Sequence, residues 1–431
     1  MAGREAERDH VIAIRKTDIL DELIAGGQLR DDADREAFRQ VTRLLASIFH
    51  YEYFEWLEKL RHSYFYFDPE VEPPAKFDDA TMHQAYADLV AAFETVIKGA
   101  NFAEVSRDEI EMAHREDAAV QVEIRANHDE MRDVRFFKRG HHMAKVMLPR
   151  WFGLRRREGE ALCYDDVILL AAMKPRSEFM TKRELKRLSQ RMIRPGAVLI
   201  KYFRNIAAAD LNALYPNARV VLGWRDRVIL TVPALAGAIP VLMNVVSTVT
   251  VLFVVLGFYL GVRGTVEDDE MKQALAALSA LVAFGAFVMR QWVKYQRQSL
   301  RHQKQLSDTV YYRNISNNSG IFDYVIGAAE EQETKEAFLA YYFLATAETA
   351  PTQQELDRTI EDWLMQRFGA DVDFEADDAL AKLDRLGLLM RDGETLTVLP
   401  LTQALMQLDA HWDAYFSYGV KATQAQVSVV P

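Results

Sequence analysis

The stretch VILTVPALAGAIPVLMNVVSTVTVLFVVLGFYLGV, residues 228–262, decides the fold that the sequence predicts. It contains no charged side chain, and Arg227 and Arg263 bracket it. A helix needs about 20 apolar residues to cross roughly 30 Å of hydrocarbon. This run exceeds that length even though it includes Pro233 and Pro240. We therefore predict a first transmembrane segment over residues 228–262.

A second uncharged run, rich in alanine, follows at residues 273–289. Trp292 closes it at a position typical of a membrane interface, and the Lys272 side chain can extend back to that interface. We predict a second transmembrane segment over residues 271–292, with residues 263–270 as a short acidic external loop. The alternative, a hairpin buried inside a large soluble protein, is disfavoured by the length of the first run.

Basic residues flank the two runs on one side. Arg219, Arg225 and Arg227 precede the first run, whereas the connecting loop ends in Glu267-Asp268-Asp269-Glu270. Because Lys and Arg near span ends are retained in the cytoplasm, we predict that both termini and both soluble regions are cytoplasmic. The basic residues that follow the second run are Arg290, Lys294, Arg297, Arg301 and Lys304.

These five basic residues lie four and three positions apart in alternation, so they share one face of a helical stem over residues 293–312. They are candidate contacts for lipid headgroups, at about 1 kcal/mol each, although an ordinary basic flank explains them as well and is favoured. Within the first run, Asn244, Ser247 and Thr248 share one helical face. They either line a polar path through the membrane or hydrogen-bond to a neighbouring helix.

Charge is strongly segregated along the chain. The net charge is -14 for residues 1–130, +12 for 131–204, +3 for 205–329 and -12 for 330–431, which gives -11 for the whole chain. The opposite signs of the second and last segments suggest that they dock on one another. The single cysteine, Cys163, cannot form an internal disulfide.

The regions outside the apolar runs divide into three predicted parts. Residues 1–130 are predicted as a helical region, in which residues 49–60 form an aromatic helical face. Residues 131–227 are predicted as a basic α+β region. It has β-prone runs at residues 167–170, 197–203 and 219–222 and a short helix at residues 207–214.

Residues 313–431 are predicted as an acidic, mainly helical domain. Helices are expected at residues 352–367, 375–385 and 401–412, with a β-hairpin around Asp392-Gly393, which is the order of a winged-helix-like domain. DNA binding is disfavoured because a DNA reader needs Lys and Arg to neutralise phosphates. A protein partner at this domain is the favoured prediction, and nucleic acid is not expected as a partner.

No residue pattern identifies a reaction. The chain has no phosphate-binding glycine loop, no His-Glu-x-x-His motif, no nucleophile elbow and no cysteine pair. Glu330, Glu331, Glu333 and Glu336 are predicted to form a solvated charged helix face, with Glu331 paired to Lys335. We therefore predict no catalytic residue, no cofactor and no metal ligand, and the sequence leaves open whether the protein is an enzyme.

Several segments carry the pattern of one family. Before the apolar runs stand Phe203-Arg204-Asn205-Ile206, Ala209-Asp210-Leu211 and Leu214-Tyr215-Pro216. After them stand Tyr311-Tyr312-Arg313-Asn314, Asn317-Asn318-Ser319-Gly320 and Ala328-Ala329-Glu330-Glu331-Gln332-Glu333-Thr334-Lys335-Glu336-Ala337. Shorter matches are Ile14-Arg15-Lys16, Phe49-His50-Tyr51-Glu52-Tyr53, Asn101-Phe102 and Lys138-Arg139-Gly140. On these residues the chain resembles the uncharacterised membrane proteins similar to transmembrane protein 143, which share a domain of unknown function numbered 3754.

The resemblance implies a membrane protein without an assigned reaction, and it associates the eukaryotic members with mitochondria. The N-terminus is not an Arg-rich and Ser-rich, acid-poor presequence. A multi-pass protein of the bacterial inner (plasma) membrane is therefore the favoured location, with a mitochondrial membrane as the alternative.

Taken together, the sequence predicts a mainly α membrane protein. A two-helix transmembrane hairpin joins an N-terminal helical and small α+β region to a C-terminal winged-helix-like domain. The predicted function is a membrane-anchored interaction or scaffold protein, with membrane lipids and further copies of itself as partners. The alternatives are an oligomeric channel or transport component, and an enzyme acting at the membrane surface.

Overall fold

A computed structural model describes residues 8–72, 79–116, 122–125, 128–150, 155–178, 181–190, 193–222 and 311–416, and single positions between 253 and 297. The helices of this described part are α1 (Lys16–Ala25), α2 (Asp32–Tyr64), α3 (Asp79–Gly99), α4 (Arg107–Glu116), α5 (Lys182–Gln190), α6 (Gly320–Thr346), α7 (Gln353–Phe368), α8 (Ala376–Arg385) and α9 (Leu401–Tyr415). Short 3-10 helices lie at His128–Glu130, Arg176–Glu178 and Ala208–Leu214.

The main sheet has five strands in the order β1-β3-β4-β5-β7, with every neighbouring pair antiparallel. Two smaller sheets pair β2 with β6 and β8 with β9. The strands are β1 (Ala103–Glu104), β2 (Val122–Arg125), β3 (Met131–Arg150), β4 (Arg155–Met173), β5 (Val198–Ala207), β6 (Arg219–Leu222), β7 (Asn314–Asn317), β8 (Leu389–Asp392) and β9 (Thr395–Val398).

The structure corrects the predicted fold class. The chain is α+β, built on an antiparallel sheet, rather than mainly α. Within the residues described above, no helix combines the length and the apolar character needed to cross a bilayer. The predictions of a membrane protein with a two-helix transmembrane hairpin, of a multi-pass inner-membrane location and of a mitochondrial membrane are therefore wrong. Hydropathy counts apolar residues along the chain, whereas a span also requires one continuous helix that satisfies its own backbone hydrogen bonds.

Most of the first apolar run and part of the second lie outside the described residues. Positions 253, 256 and 257 are helical, and Leu260 and Gly261 form a turn in which Leu260 N donates to Leu256 O at 2.9 Å. Helical positions recur between 269 and 297. Phe287 and Val293 are partly buried, whereas the other large apolar side chains described here are exposed, namely Phe253, Leu256, Leu260, Leu275, Leu278, Val282, Val288, Met289 and Trp292.

Strand β4 is buried on both of its faces. Successive side chains of a strand point to opposite faces. Ile168 and Leu170 belong to a core shared with α2, α3 and α6. Val167 and Leu169 instead belong to a second core, which α4, α5 and the 3-10 helix at Ala208–Leu214 cover. The unbroken apolar run at residues 167–170 therefore reflects a strand enclosed by two layers.

Helix α6 is the centre of the larger core. Its residues from Gln332 to Leu344 are buried with one exception, Glu333, which is partly buried. The helix contacts α2, α3, α7 and α8. The hydroxyl of Tyr342 donates to Leu23 O, and that of Tyr341 donates to Leu399 O, each at 2.8 Å. The N-terminal helices and the C-terminal elements thus share one core through α6.

Candidate functional site

The residues that the sequence singled out as site candidates lie mainly outside the described part of the chain. Arg290 and Arg297 are described, and both are helical and exposed. Lys294, Arg301, Lys304, Asn244, Ser247 and Thr248 all lie outside the described residues. The structure instead places a polar cluster where the sequence predicted a solvated helix face on α6.

Lys382 on α8 forms the centre of this buried cluster. Its ammonium group bonds to Glu336 Oε2, lies 2.9 Å from Glu333 Oε2 and lies 2.8 Å from Asp378 Oδ2. The side chains of Lys382 and Glu336 are only 7% and 3% exposed. The prediction of a solvated face is therefore wrong for Glu336, whereas the predicted pair of Glu331 with Lys335 is confirmed at 3.0 Å.

Two further side chains complete the hydrogen bonding of the cluster. Asn101 Nδ2 donates to Glu336 Oε1 at 2.9 Å, and the Tyr53 hydroxyl donates to Glu333 Oε1 at 3.1 Å. Asn101 lies just beyond the end of α3 with a φ of 57°, in the left-handed region that asparagine tolerates better than most residues. The side chains of this cluster therefore come from α8 and from three of the segments that carry the family resemblance, residues 49–53, 101–102 and 328–337.

The pKa values in the cluster follow from burial and from the excess of carboxylates. Burial raises the pKa of Glu336 and of Glu333 above the ordinary value, against the opposing charge of Lys382. Burial by itself lowers the pKa of Lys382, but the three carboxylates outweigh it and raise that pKa. Lys382 is therefore charged, and removing it would leave buried carboxylates without a counter-ion. The cluster fixes α8 to α6.

The N-terminal segment, residues 8–13, connects the sheet, α6 and the segment between α7 and α8. His141 N donates to Asp9 Oδ2 at 3.0 Å, and Asp373 N donates to Asp9 O at 3.0 Å. Gln332 on α6 bonds to both backbone groups of Ile12, at 3.3 and 3.2 Å. The segment therefore acts as a strap across the core.

Two cations of the basic α+β region, Arg135 and Lys138, form ion pairs with the acidic N-terminal region. Arg135 bonds to Glu104 and to Glu94, and Lys138 bonds to Glu109. These partners lie on or near α3, β1 and α4. Opposite charges along the chain are thus matched between the sheet and the helices that precede it.

The elements that follow α6 form what we call the C-terminal module, residues 353–415, which comprises α7, α8, β8, β9 and α9. Most of its cations are used in internal contacts. Lys382 is in the buried cluster, Arg385 bonds to Glu52 and Arg367 lies 3.2 Å from Glu22. The carboxylates that the module exposes include Asp362, Asp377, Asp384, Asp392, Glu394, Asp409 and Asp413.

Among the described residues, no group of three or more His, Cys, Asp or Glu side chains could hold a metal ion. What these elements define is an α+β protein with a buried ion cluster and an outward-facing acidic module. Residues 164–320 match the family model described as a protein of unknown function (DUF3754). The match runs from β4 through β5 and β7 to the first residue of α6. No solved structure matches this chain.

Sequence reasoning missed the cluster because its members are far apart in the chain. Lys382 and Glu336 are separated by 46 positions, and Asn101 and Glu336 by 235. One signal of the cluster was present in the sequence. In α6 and in α8, charged residues lie on the same helical face as apolar core residues. Buried charges at such positions require partners.

Proposed function

We propose that this chain is an interaction protein with a scaffold role, and that its C-terminal module binds a basic partner protein. The observation that carries the proposal is that most cations of the module are held in ion pairs, whereas many of its carboxylates are exposed. Lys382, Arg385 and Arg367 are held in internal pairs, while many carboxylates are exposed. A surface of one sign attracts and orients a partner of the other sign.

The charge on α8 argues for a protein partner rather than a nucleic acid. This helix precedes the hairpin of β8 and β9, and its exposed positions include Asp377, Ala381 and Asp384. Phosphates would be repelled by these carboxylates, because nucleic-acid binding depends on Lys and Arg. Lysine or arginine side chains of a partner protein are electrostatically complementary to them.

The module also offers a fixed surface, which favours binding. The buried pairs of Lys382 with Glu333 and Glu336 hold α8 on α6, and Leu380 and Leu383 of α8 lie in the main core. A surface that is already ordered loses little conformational entropy on association.

Charge reversal of α8 tests this proposal. The full chain and the variant Asp377→Lys/Asp384→Lys are used to capture proteins from a lysate of the source cell, and the bound proteins are identified by mass spectrometry. We expect basic proteins that bind the native chain, leave it at raised salt and fail to bind the variant. Charge reversal at the exposed Asp88 of α3 is the matched control. Equal capture by the α8 variant would refute the proposal.

Self-association is a second candidate for the scaffold role. The observation that favours it is the set of exposed apolar side chains between residues 253 and 292, among them Phe253, Leu260 and Val282. Exposed apolar groups of this kind mark interaction surfaces, and a second copy of the chain presents the same groups. Light scattering on the purified chain should give a mass above one copy, and Leu260→Gln/Val282→Gln should lower it. A single-copy mass for the native chain would end this candidate.

We also propose that this chain is related to the proteins similar to transmembrane protein 143. Supporting it, the matching segments at residues 49–53, 101–102 and 328–337 contribute to one buried cluster. A structure of such a protein should show a lysine and two glutamates in the same arrangement, and their absence would count against the relationship. The alternatives of a channel and of a membrane-surface enzyme depended on the predicted spans and are not carried further.

A further inference from the structure

A cleft with a volume of about 390 Å³ lies between the main sheet and α6. The sheet contributes Arg139, Asp166, Tyr202 and Arg204 from three neighbouring strands, and residues 11–13 of the strap line part of the cleft. Ligand pockets in proteins have volumes of roughly 300–1,000 Å³ and carry a few converging polar groups. Both features are present here.

Asp166 is bonded to two guanidinium groups and one phenol. Arg139 Nε donates to its Oδ2 at 3.0 Å, Arg204 Nε to its Oδ1 at 3.1 Å and the Tyr202 hydroxyl to its Oδ1 at 2.6 Å. Burial, with help from the bond to Asp166, raises the pKa of Tyr202 to about 12, so the phenol stays protonated as a donor. One carboxylate thus faces two permanent cations, and the group has a net charge of +1.

Arg204 is the cation of this group with unused hydrogen-bond donors. Its Nε is used by Asp166 and by the Tyr202 hydroxyl, at 3.1 and 3.2 Å. Its two terminal nitrogens have no hydrogen-bond partner among the described residues, and its side chain is 57% exposed. A guanidinium with both terminal nitrogens available can bind a carboxylate or phosphate through two parallel bonds.

The other charged side chains around the cleft have hydrogen-bond or ion-pair partners. Lys335 lies 3.0 Å from Glu331, and its Nζ also donates to Ile12 O at 2.8 Å. Asp165 is 2.5 Å from His142 Nδ1. Arg204 is therefore the cation of the cleft whose terminal nitrogens have no partner among the described residues.

Where Tyr324 and Gly327 line it, the α6 side of the cleft is uncharged and open. The ring of Tyr324 lies 5.8 Å from that of Tyr202, and its side chain is half exposed. One turn further along α6, Gly327 lines the cleft, and a methyl group added there would meet no atom within 4 Å. Glycine inside a helix costs about 1 kcal/mol relative to alanine, and here it leaves room beside the aromatic ring.

We propose that this cleft binds a small organic oxoanion, with its phosphate or carboxylate on the terminal nitrogens of Arg204 and a flat ring against Tyr324. The site is independent of the acidic module, which recognises a partner of the opposite charge. Phosphate and carboxylate share the chemistry that a guanidinium recognises, and the experiment below separates them.

Calorimetric titration of the full chain tests the proposal with three probes, phenyl phosphate, benzoate and inorganic phosphate. We expect saturable binding of phenyl phosphate or of benzoate at one site, and the tighter of the two identifies the anion. Inorganic phosphate, which lacks the ring, should bind about tenfold more weakly. Inorganic phosphate binding as tightly as the aromatic probes would overturn the role of Tyr324, and no saturable binding of any probe would overturn the site.

Two variants test separately the guanidinium of Arg204 and the open space beside Tyr324. Arg204→Gln should weaken binding by about tenfold or more because the charge-assisted bonds are lost. Gly327→Leu should abolish binding by filling the cleft while Asp166 and both arginines stay in place. Arg391→Gln, at an exposed arginine of β8, is the matched control and should bind like the native chain. Native affinity in both Arg204→Gln and Gly327→Leu would refute the proposal. Thermal unfolding of each variant establishes that it is folded.

Discussion

At the scale of the residue, the buried cluster depends on one cation. The side chain of Lys382 is 7% exposed and contacts three carboxylates, of which that of Glu336 is 3% exposed. Breaking a buried ion pair by removing one partner costs more than the pair contributes, because the remaining charge is left without compensation. The cluster is thus a point where a single substitution has a large effect.

We expect Lys382→Met to lower the free energy of unfolding by about 3–5 kcal/mol. The reason is that Glu333 and Glu336 would keep their buried positions without a counter-ion. Denaturant unfolding of the purified chain measures the change. The triple variant Lys382→Met/Glu333→Gln/Glu336→Gln should be more stable than Lys382→Met alone. A loss below about 1 kcal/mol in the single variant would show that the carboxylates escape to solvent.

Asp357 on α7 predicts a pH dependence. Burial, followed by the charges of Glu361 and Asp373, raises its pKa from 3.8 to about 6. Its Oδ1 atom is buried without a hydrogen-bond partner among the described residues. A carboxyl group with a raised pKa favours the folded state when protonated. Its contribution is therefore complete below about pH 3.8 and is lost as the pH rises through 6.

Asp357→Asn should therefore raise the free energy of unfolding at pH 7 by on the order of 1 kcal/mol, after allowance for solvent screening of this partly exposed group. At pH 4 the gain should be much smaller, because the native carboxyl is then largely protonated. Urea unfolding at the two pH values measures both. Asp362→Asn, at an exposed position of the same helix, is the control. A gain of equal size at pH 4 and pH 7 would contradict the assignment.

At the scale of the element, two glycines have opposite roles. Gly327 lies within α6 beside open space, so Gly327→Ala should raise the free energy of unfolding by about 1 kcal/mol through helix propensity. Gly140 in β3 has a φ of 66°, and an added methyl group would overlap the Asp165 carboxylate. Gly140→Ala should lower the free energy of unfolding by at least about 1–2 kcal/mol. Thermal unfolding measures both, and effects of the same sign would refute this explanation.

The strap at residues 8–13 gives a second prediction at this scale. Gln332 is 4% exposed and is the side chain on α6 that bonds to both backbone groups of Ile12. Gln332→Met keeps the length of the side chain but leaves a buried amide unpaired, which costs about 1–3 kcal/mol. Hydrogen exchange should become faster at the Ile12 amide. Gln354→Met, at an exposed position of α7, should leave that exchange rate unchanged.

At the scale of the whole molecule, the C-terminal module depends on the rest of the chain. Leu356, Leu380 and Leu396 belong to the same core as residues of α1, α2 and α3. Phe343 of α6 also packs against Trp363 of α7, with ring centres 5.8 Å apart. We expect an isolated fragment of residues 348–416 to lack fixed tertiary packing, because it loses α6 and therefore most of its apolar contacts. A sigmoidal urea transition of that fragment, with a near-ultraviolet circular dichroism signal, would contradict this expectation.

Much of the local structure could be read from the sequence. The β-prone runs at residues 167–170, 197–203 and 219–222 lie in β4, β5 and β6 or start one residue before, and the hairpin around Asp392-Gly393 is β8 and β9. Helices α7, α8 and α9 lie where helical spacing placed them. These elements are marked by local patterns, by a Thr352 capping box for α7 and by turn residues for the hairpin.

The predicted fold class was wrong because the apolar runs are a stronger pattern in the sequence than the strands. The sequence showed short β-prone runs, whereas β3 and β4 extend over 20 and 19 residues. The outer part of β4, residues 155–160, is mostly charged, so neither apolar alternation nor β propensity marks it as a strand. Pairing with a neighbouring strand, which depends on the fold, extends both strands well beyond the apolar segment.

The sequence by itself determined the positions of α7, α8 and α9, the hairpin of the module and the segregation of charge along the chain, because these depend on neighbouring residues. Only the tertiary structure decided which charges meet. Packing of α6 against α8 and the strap brings Lys382 to Glu336 and Gln332 to Ile12. Pairing of β5 with β4 brings Arg204 opposite Asp166. The physical reason is that burial turns a distant opposite charge into a required partner, and no local pattern specifies which distant residue supplies it.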